Sequence, residues 1–176
     1  MIFEPTKIQG AFKITLDPKN DERGFLARIW DKQPFLEQGI KVEWVQAYVS
    51  QTKHEGTLRG LHYQVEPQAE AKLIRCLKGQ VYEVLADTRK ASASFGKWEG
   101  FEIATEDFIA LYVPAGVAHG ILASSDSVEI LNFSSAPYTA ECERGLRYND
   151  SAFKIQWPHE PKIISAKDSS WPDFKL

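Results

Sequence analysis

Short apolar runs broken by Gly, Pro, Asp and Asn recur along the chain, at the spacing expected of an all-β sandwich or barrel. Lys72 to Leu77 and Val81 to Asp87 read as strands, with Lys78-Gly79-Gln80 as the turn between them. Phe108 to Val113 reads as another strand, stopped by Pro114, and Val128 to Phe133 as a further one. Several runs are apolar at both parities, as at Val81, Tyr82, Val84 and Leu85. That pattern predicts strands covered on both faces, as in packed sheets. Asp31 to Gly39 predicts a short helix, with Pro34 in its first turn and Gly39 as its stop. From Ala152 onward the chain looks irregular, but Trp157-Pro158 and Trp171-Pro172 make it too aromatic for a disordered tail. It is expected to pack on the body.

Composition narrows the class. The 176 residues suit one domain spanning 1–176, long enough to bury a core without staples. A net charge of −3 argues against a nucleic-acid binder, whose surface is usually basic, while leaving room for a local basic pocket. Cys76 and Cys142 show no metal-ligand spacing and are too few for a disulfide scaffold. They read as reduced thiols, which points to a cytoplasmic protein. The start, Met1 to Phe12, mixes Glu4, Lys7 and Gln9 into its apolar residues and does not have the form of a signal peptide. No apolar run approaches the ~20 residues of a membrane span, so no membrane partner is expected.

Candidate chemistry concentrates in three places. The densest is Gly56-Thr57-Leu58-Arg59-Gly60-Leu61-His62-Tyr63-Gln64, followed by Lys72. In a regular strand Gly60, His62 and Gln64 share one face and Arg59, Leu61 and Tyr63 the other, unless a bulge intervenes. The second is Pro114 to Gly120, a turn that delivers His119 to the start of a strand. The third is Asp168, after Ser165-Ala166-Lys167. Each also has an ordinary reading: a core histidine, solvated charges, a plain turn. A metal site is the rival for a β-barrel with histidines. Metal-binding cupins typically present His-x-His, a Glu and a later His, but here the first pair reads His62-Tyr63-Gln64. His62 and His119 alone do not make a three-ligand site, so neither metal nor other cofactor is expected.

Taken together, these segments resemble the dTDP-4-dehydrorhamnose 3,5-epimerase family. The resemblance runs from Asp21-Glu22-Arg23-Gly24-Phe25 through Gln46, the Gly56 to Gln64 block and Ala71-Lys72-Leu73. It continues through Gly79 to Arg89, Pro114 to Gly120, Glu143-Arg144-Gly145-Leu146 and Ser165 to Asp168. It implies an all-β, double-stranded β-helix or jelly-roll (cupin) of two packed antiparallel sheets with a few short helices, paired as a homodimer. It also implies an epimerase acting at C3 and/or C5 of a nucleoside-diphospho-4-keto-6-deoxy sugar. The C4 ketone acidifies the neighbouring carbons, so the enzyme needs a base, a cation for the enolate oxygen and an acid for the opposite face. By the resemblance His62 is the base, Asp168 orients it and favours its charged form, and Lys72 is the cation. Arg23 and Arg59 hold the diphosphate, and Gln46, His119 and Tyr138 line the pocket.

The chain departs from the family pattern at three positions. The family's acid Tyr falls at Asn132, which offers a hydrogen bond but no dissociable proton. Tyr138, Tyr48 or a water then takes over, or one carbon alone is reprotonated, or activity is lost. A Glu near the nucleotide base is replaced by Arg28, which only donates and suits the acceptors of cytosine or guanine. An Asn after Gln46 is replaced by Tyr48. These changes set two alternatives beside the leading reading: a single-carbon epimerase on a CDP- or GDP-linked sugar, and a non-catalytic nucleotide-sugar-binding protein.

Overall fold

A computed structural model describes residues 1–176. In chain order the elements are β1 (Ile2–Pro5), β2 (Phe12–Thr15), β3 (Lys19–Asp21), β4 (Gly24–Leu26), α1 (Lys32–Glu37), β5 (Gln46–Thr52) and β6 (Thr57–Gln64). They continue with β7 (Lys72–Lys78), β8 (Gln80–Asp87), β9 (Trp98–Ala104), β10 (Ile109–Val113), β11 (Val117–Ala123), β12 (Val128–Ser134), β13 (Glu143–Gly145), β14 (Ile163–Ile164) and α2 (Ala166–Ser169). Each strand expected from the apolar runs is present, and α1 falls inside the expected helical stretch. Phe35 anchors α1 in the core, meeting Phe3 edge to face at 5.1 Å. No helix is long and apolar enough to cross a membrane.

The first sheet has the order β1-β2-β10-β7-β12-β5 and the second β13-β6-β11-β8-β9. β14 adds to β6 as the one parallel pair in the second sheet, and β3 and β4 form a separate hairpin. Two antiparallel sheets packed face to face in this order make a jelly roll, the double-stranded β-helix of the cupins. The tight link between β7 and β8 is Gly79, which takes φ +80; a Cβ there would meet Ser125 Oγ at 2.6 Å. Only glycine makes this turn without strain.

Three apolar layers explain the runs that are hydrophobic at both parities. Ile74, Cys76, Leu85, Val117, Ile121 and Ile130 fill the space between the sheets. Ile14, Leu73, Ala110 and Tyr112 face the other way and are covered by α1 and the N-terminal strands. Leu61, Val84, Ala86 and Ala118 are covered by the C-terminal segment through Phe153, Ile155, Trp157 and Phe174. The aromatic tail thus packs on the body. Truncating a fully buried side chain such as Leu73 or Leu85 to alanine costs about 2–5 kcal/mol. Cys76 and Cys142 are buried, unpaired thiols.

Candidate active site

Towards the β5 edge the space between the sheets opens into a cleft with two lobes, of about 470 and 400 Å³. The size is that of a small-molecule site. Thr57, Arg59, Gly60, His119, Asn132 and Asp168 line the first lobe. Gln46, Gln64, Glu70, Lys72, Tyr138 and Glu143 line the second. Tyr48, His62 and Lys167 border both lobes and so form the waist.

β6 carries the densest group of these residues, and a bulge decides how it presents them. His62 pairs with His119 and Gly60 with Gly120, so Leu61 has no partner on β11. The extra residue shifts the alternation by one. Leu61 turns outward into the layer beneath the C-terminal segment, and Arg59 joins His62 on the cleft side. Strict alternation placed Arg59 on the opposite face; the bulge corrects that expectation. Gly60 sits at the bend with φ +95, and a Cβ there would stand 2.6 Å from the His119 carbonyl oxygen and 3.2 Å from His62 Nδ1.

Asp168 arrives on α2, a single turn capped by the Ser165 side chain, which accepts a hydrogen bond from the Asp168 N–H at 3.0 Å. The buried carboxylate accepts the Gly60 N–H through Oδ2 at 3.2 Å, while Oδ1 has no partner in the chain. His62 and Asp168 therefore converge on Gly60 from two sides. Burial, then the positive charges of Lys72 and Lys167, push the His62 imidazole down to about 3. That is the reverse of the expected bias towards the charged ring: burial is the largest of these causes, ahead of the two ammonium groups, and all three favour the neutral ring. A neutral imidazole is the form that accepts a proton.

His119 lies against His62 edge to face, with ring centroids 4.7 Å apart. Its Nδ1 is 2.8 Å from Glu83 Oε1, both groups being buried. Burial raises Glu83 well above the usual carboxylate range and lowers His119, so both groups favour their neutral forms. His119 Nε2 has no partner in the chain.

The cations of the cleft differ in how they are compensated. Lys72 Nζ is buried 2.8 Å from Glu70 Oε1, and Ser134 Oγ donates to the other Glu70 oxygen. Lys167 Nζ is 2.7 Å from Glu143 Oε1, and Tyr138 donates its hydroxyl proton to Glu143 Oε2 at 3.0 Å. Arg59 is braced through Nε on Thr52 Oγ1 at 2.8 Å and Nη2 on the Gln51 carbonyl at 2.9 Å, neither of them charged. Its positive charge remains available to an anionic ligand.

The cleft thus brings together His62, Asp168, Lys72, Gln46, Arg59, His119, Asn132 and Tyr138. It does not include Arg23 or Arg28. Arg23 lies at the turn between β3 and β4, 84% exposed and paired with Asp21. Arg28 is 67% exposed and stands 3.7 Å from Asp31. Both charges are exposed to solvent in the single chain. Asn132 faces the cleft while Phe133 packs outward on Trp44, so position 132 carries the residue that faces a ligand. The sequence reading did not single out Glu70, Glu83 or Lys167. Lys167 stands beside Asp168 and Glu70 two residues before Lys72, but Glu83 reaches His119 only through the pairing of β8 with β11. No group of three His, Cys, Asp or Glu side chains is arranged to hold a metal ion.

Comparison with known proteins converges on one family. The family model for dTDP-4-dehydrorhamnose 3,5-epimerase matches residues 5–175. A dTDP-4-dehydrorhamnose 3,5-epimerase of Shigella flexneri is 39% identical over 175 residues, covering 99% of this chain and 90% of that protein. The crystal structure of the enzyme of that name from Elizabethkingia anophelis superposes with a TM-score of 0.93 at 34% identity, covering 99% and 96% of the two chains. That from Bacillus anthracis, with TDP and PPi bound, superposes with a TM-score of 0.94 at 31% identity, covering 98% and 99%. With the cleft, its histidine waist and these matches in agreement, the chain belongs to the dTDP-4-dehydrorhamnose 3,5-epimerase family.

Proposed function

We propose that the protein epimerises a nucleoside-diphospho-4-keto-6-deoxyhexose at C3, C5 or both, by removing a proton next to the C4 ketone. The observation that carries this reading is His62 at the waist of the cleft, held neutral beside Asp168 and within the field of Lys72. In this reading His62 takes the proton and Asp168, braced by Gly60, positions the ring through its free oxygen. The Lys72 ammonium stabilises the enolate oxygen as charge develops. Arg59 binds the diphosphate in the first lobe, where its guanidinium lacks a carboxylate partner. His119 offers its Nε2–H, and Gln46, Asn132 and Tyr138 complete the walls.

The expected carrier is dTDP. The Bacillus anthracis relative holds TDP, and Arg28 is paired with Asp31 at 3.7 Å in this chain. A homodimer is also part of the reading. β5 is an edge strand, and Val49 on it, Val45 just before it, and Phe25 and Leu26 on the β3–β4 hairpin are all more than half exposed. An unpaired apolar edge of this kind is a ready surface for a second copy. Arg23, on the same hairpin, would then be offered to the partner's cleft.

The test is proton exchange in deuterated water, followed by NMR, with 4-keto-6-deoxyglucose linked to dTDP, CDP and GDP in turn. Deuterium entering C3 or C5 with the dTDP substrate, and lost in His62→Ala, is the expected result. Binding without exchange for every carrier would instead support a nucleotide-sugar-binding protein.

A further inference from the structure

We propose that Tyr48 is the catalytic acid, delivering the second proton from the wall of the cleft that faces His62; this rests on the epimerase reading above. Inversion at a carbon requires one proton to leave from one face and another to arrive at the opposite face. His62 stands on β6, in the second sheet. A sugar ring held between the sheets presents its other face to the first sheet, through β5, β7 and β12.

Few groups on that wall carry a transferable proton. Asn132 has an amide and Gln46 another, neither of which dissociates in the working range. Lys72 is paired with Glu70, and its charge is needed at the enolate oxygen. Ser50 has only an aliphatic hydroxyl. Tyr48 is the phenol on this wall, and it borders both lobes, as does His62. The other phenols are differently placed. Tyr138 gives its hydroxyl proton to Glu143 and is 60% exposed. Tyr63 lies on β6, the strand of His62 itself. The Tyr48 hydroxyl makes no hydrogen bond within the chain, and the residue is 39% exposed, which keeps it in contact with solvent for proton return.

The neighbouring strand makes room for this role. Tyr48 and Asn132 are register partners across β5 and β12. A small amide at 132 leaves the phenol beside it clear to reach the waist. The proton balance is complete. His62 takes the hydrogen from the carbon, and the bonding pair moves into the enolate held by Lys72. The enolate then collapses to the ketone as the same carbon takes the Tyr48 hydroxyl proton on its other face. The resulting imidazolium and phenolate are reset by transfer of one proton through water.

The experiment compares wild type with Tyr48→Phe in deuterated water, scoring deuterium at C3 and C5 separately from inverted product, with TDP affinity as a measure of an intact cleft. The expected result is retained, His62-dependent deuterium entry without inversion, TDP binding unchanged and product formation reduced about 100-fold or more. Inversion by Tyr48→Phe within about threefold of wild type, well short of a lost general acid, would overturn the assignment. So would loss of deuterium entry together with inversion, since proton removal does not need the acid. A wild type that exchanges no carbon-bound proton with any carrier would overturn the epimerase reading itself, and this assignment with it.

Discussion

His62 and His119 are register partners on β6 and β11, and their rings meet edge to face 4.7 Å apart. Two imidazoles this close, within reach of Lys72, cannot both carry charge at modest cost. The site resolves the conflict by keeping both neutral: burial and Lys72 lower the two rings, and Glu83 retains its proton. In the proposed mechanism His62 is thereby ready to act as base at neutral pH without a preceding deprotonation.

This arrangement sets the pH dependence. His62 titrates below its ordinary 6.5, at about 3, so the acid limb of kcat/KM for the free enzyme should fall well below pH 6.5. The stability effect has a definite sign. Between the two values the unfolded chain binds more protons than the folded one, so the contribution is full above pH 6.5 and is lost as pH falls towards 3. A pH–rate profile, with denaturant unfolding at the same pH values, checks both. An acid limb centred at 6.5 would contradict the neutral-base assignment.

Glu83 should behave as a hydrogen-bond donor. Glu83→Gln keeps an N–H facing His119 Nδ1 and should change stability by less than about 1 kcal/mol. Glu83→Leu leaves that buried nitrogen unpaired and should cost about 1–3 kcal/mol. Chemical denaturation of the two variants separates these outcomes. A Gln variant as damaged as the Leu variant would show that the carboxylate charge was required.

Gly60→Ala should damage both fold and function. The added Cβ meets backbone on β11, the His119 oxygen at 2.6 Å and the Gly120 Cα at 2.9 Å, in a conformation with φ +95. A loss of about 1–3 kcal/mol is expected in thermal unfolding. Activity should fall further than stability, because Gly60 braces Asp168 and lies against His62.

Arg59 should act on binding more than on turnover. If Arg59 binds the diphosphate as proposed, Arg59→Ala should raise KM about 10- to 100-fold with kcat little changed. Arg59→Lys keeps the charge but loses the planar fork, and should fall between. Steady-state kinetics at two ionic strengths gives the comparison.

Val49→Asp places a charge on the exposed apolar edge of β5. Sedimentation velocity should show the wild type as a dimer and the variant shifted towards monomer. A monomeric wild type would overturn the dimer reading.

The division between sequence and structure follows from the range over which each interaction acts. Apolar periodicity is local, and it identified the strands from Lys72 to Asp87, the strand ending at Val113, and the two covered faces. Turn chemistry is local as well, as at Gly79. The Gly56 to Gln64 block and Asp168 marked the family and most of the cleft. What the residues alone did not decide were relations across strands. The unpaired Leu61 becomes a bulge only against β11, and that bulge moves Arg59 to the cleft side. Glu83 becomes the partner of His119 because β8 pairs with β11. Arg23 and Arg28 look like pocket cations in the sequence, yet the β3–β4 hairpin and the segment after it hold them outside the cleft of their own chain. Whether Asn132 leaves the site without an acid likewise depends on its neighbour. Pairing with β5 sets Tyr48 beside it, and no pattern along one strand contains that fact.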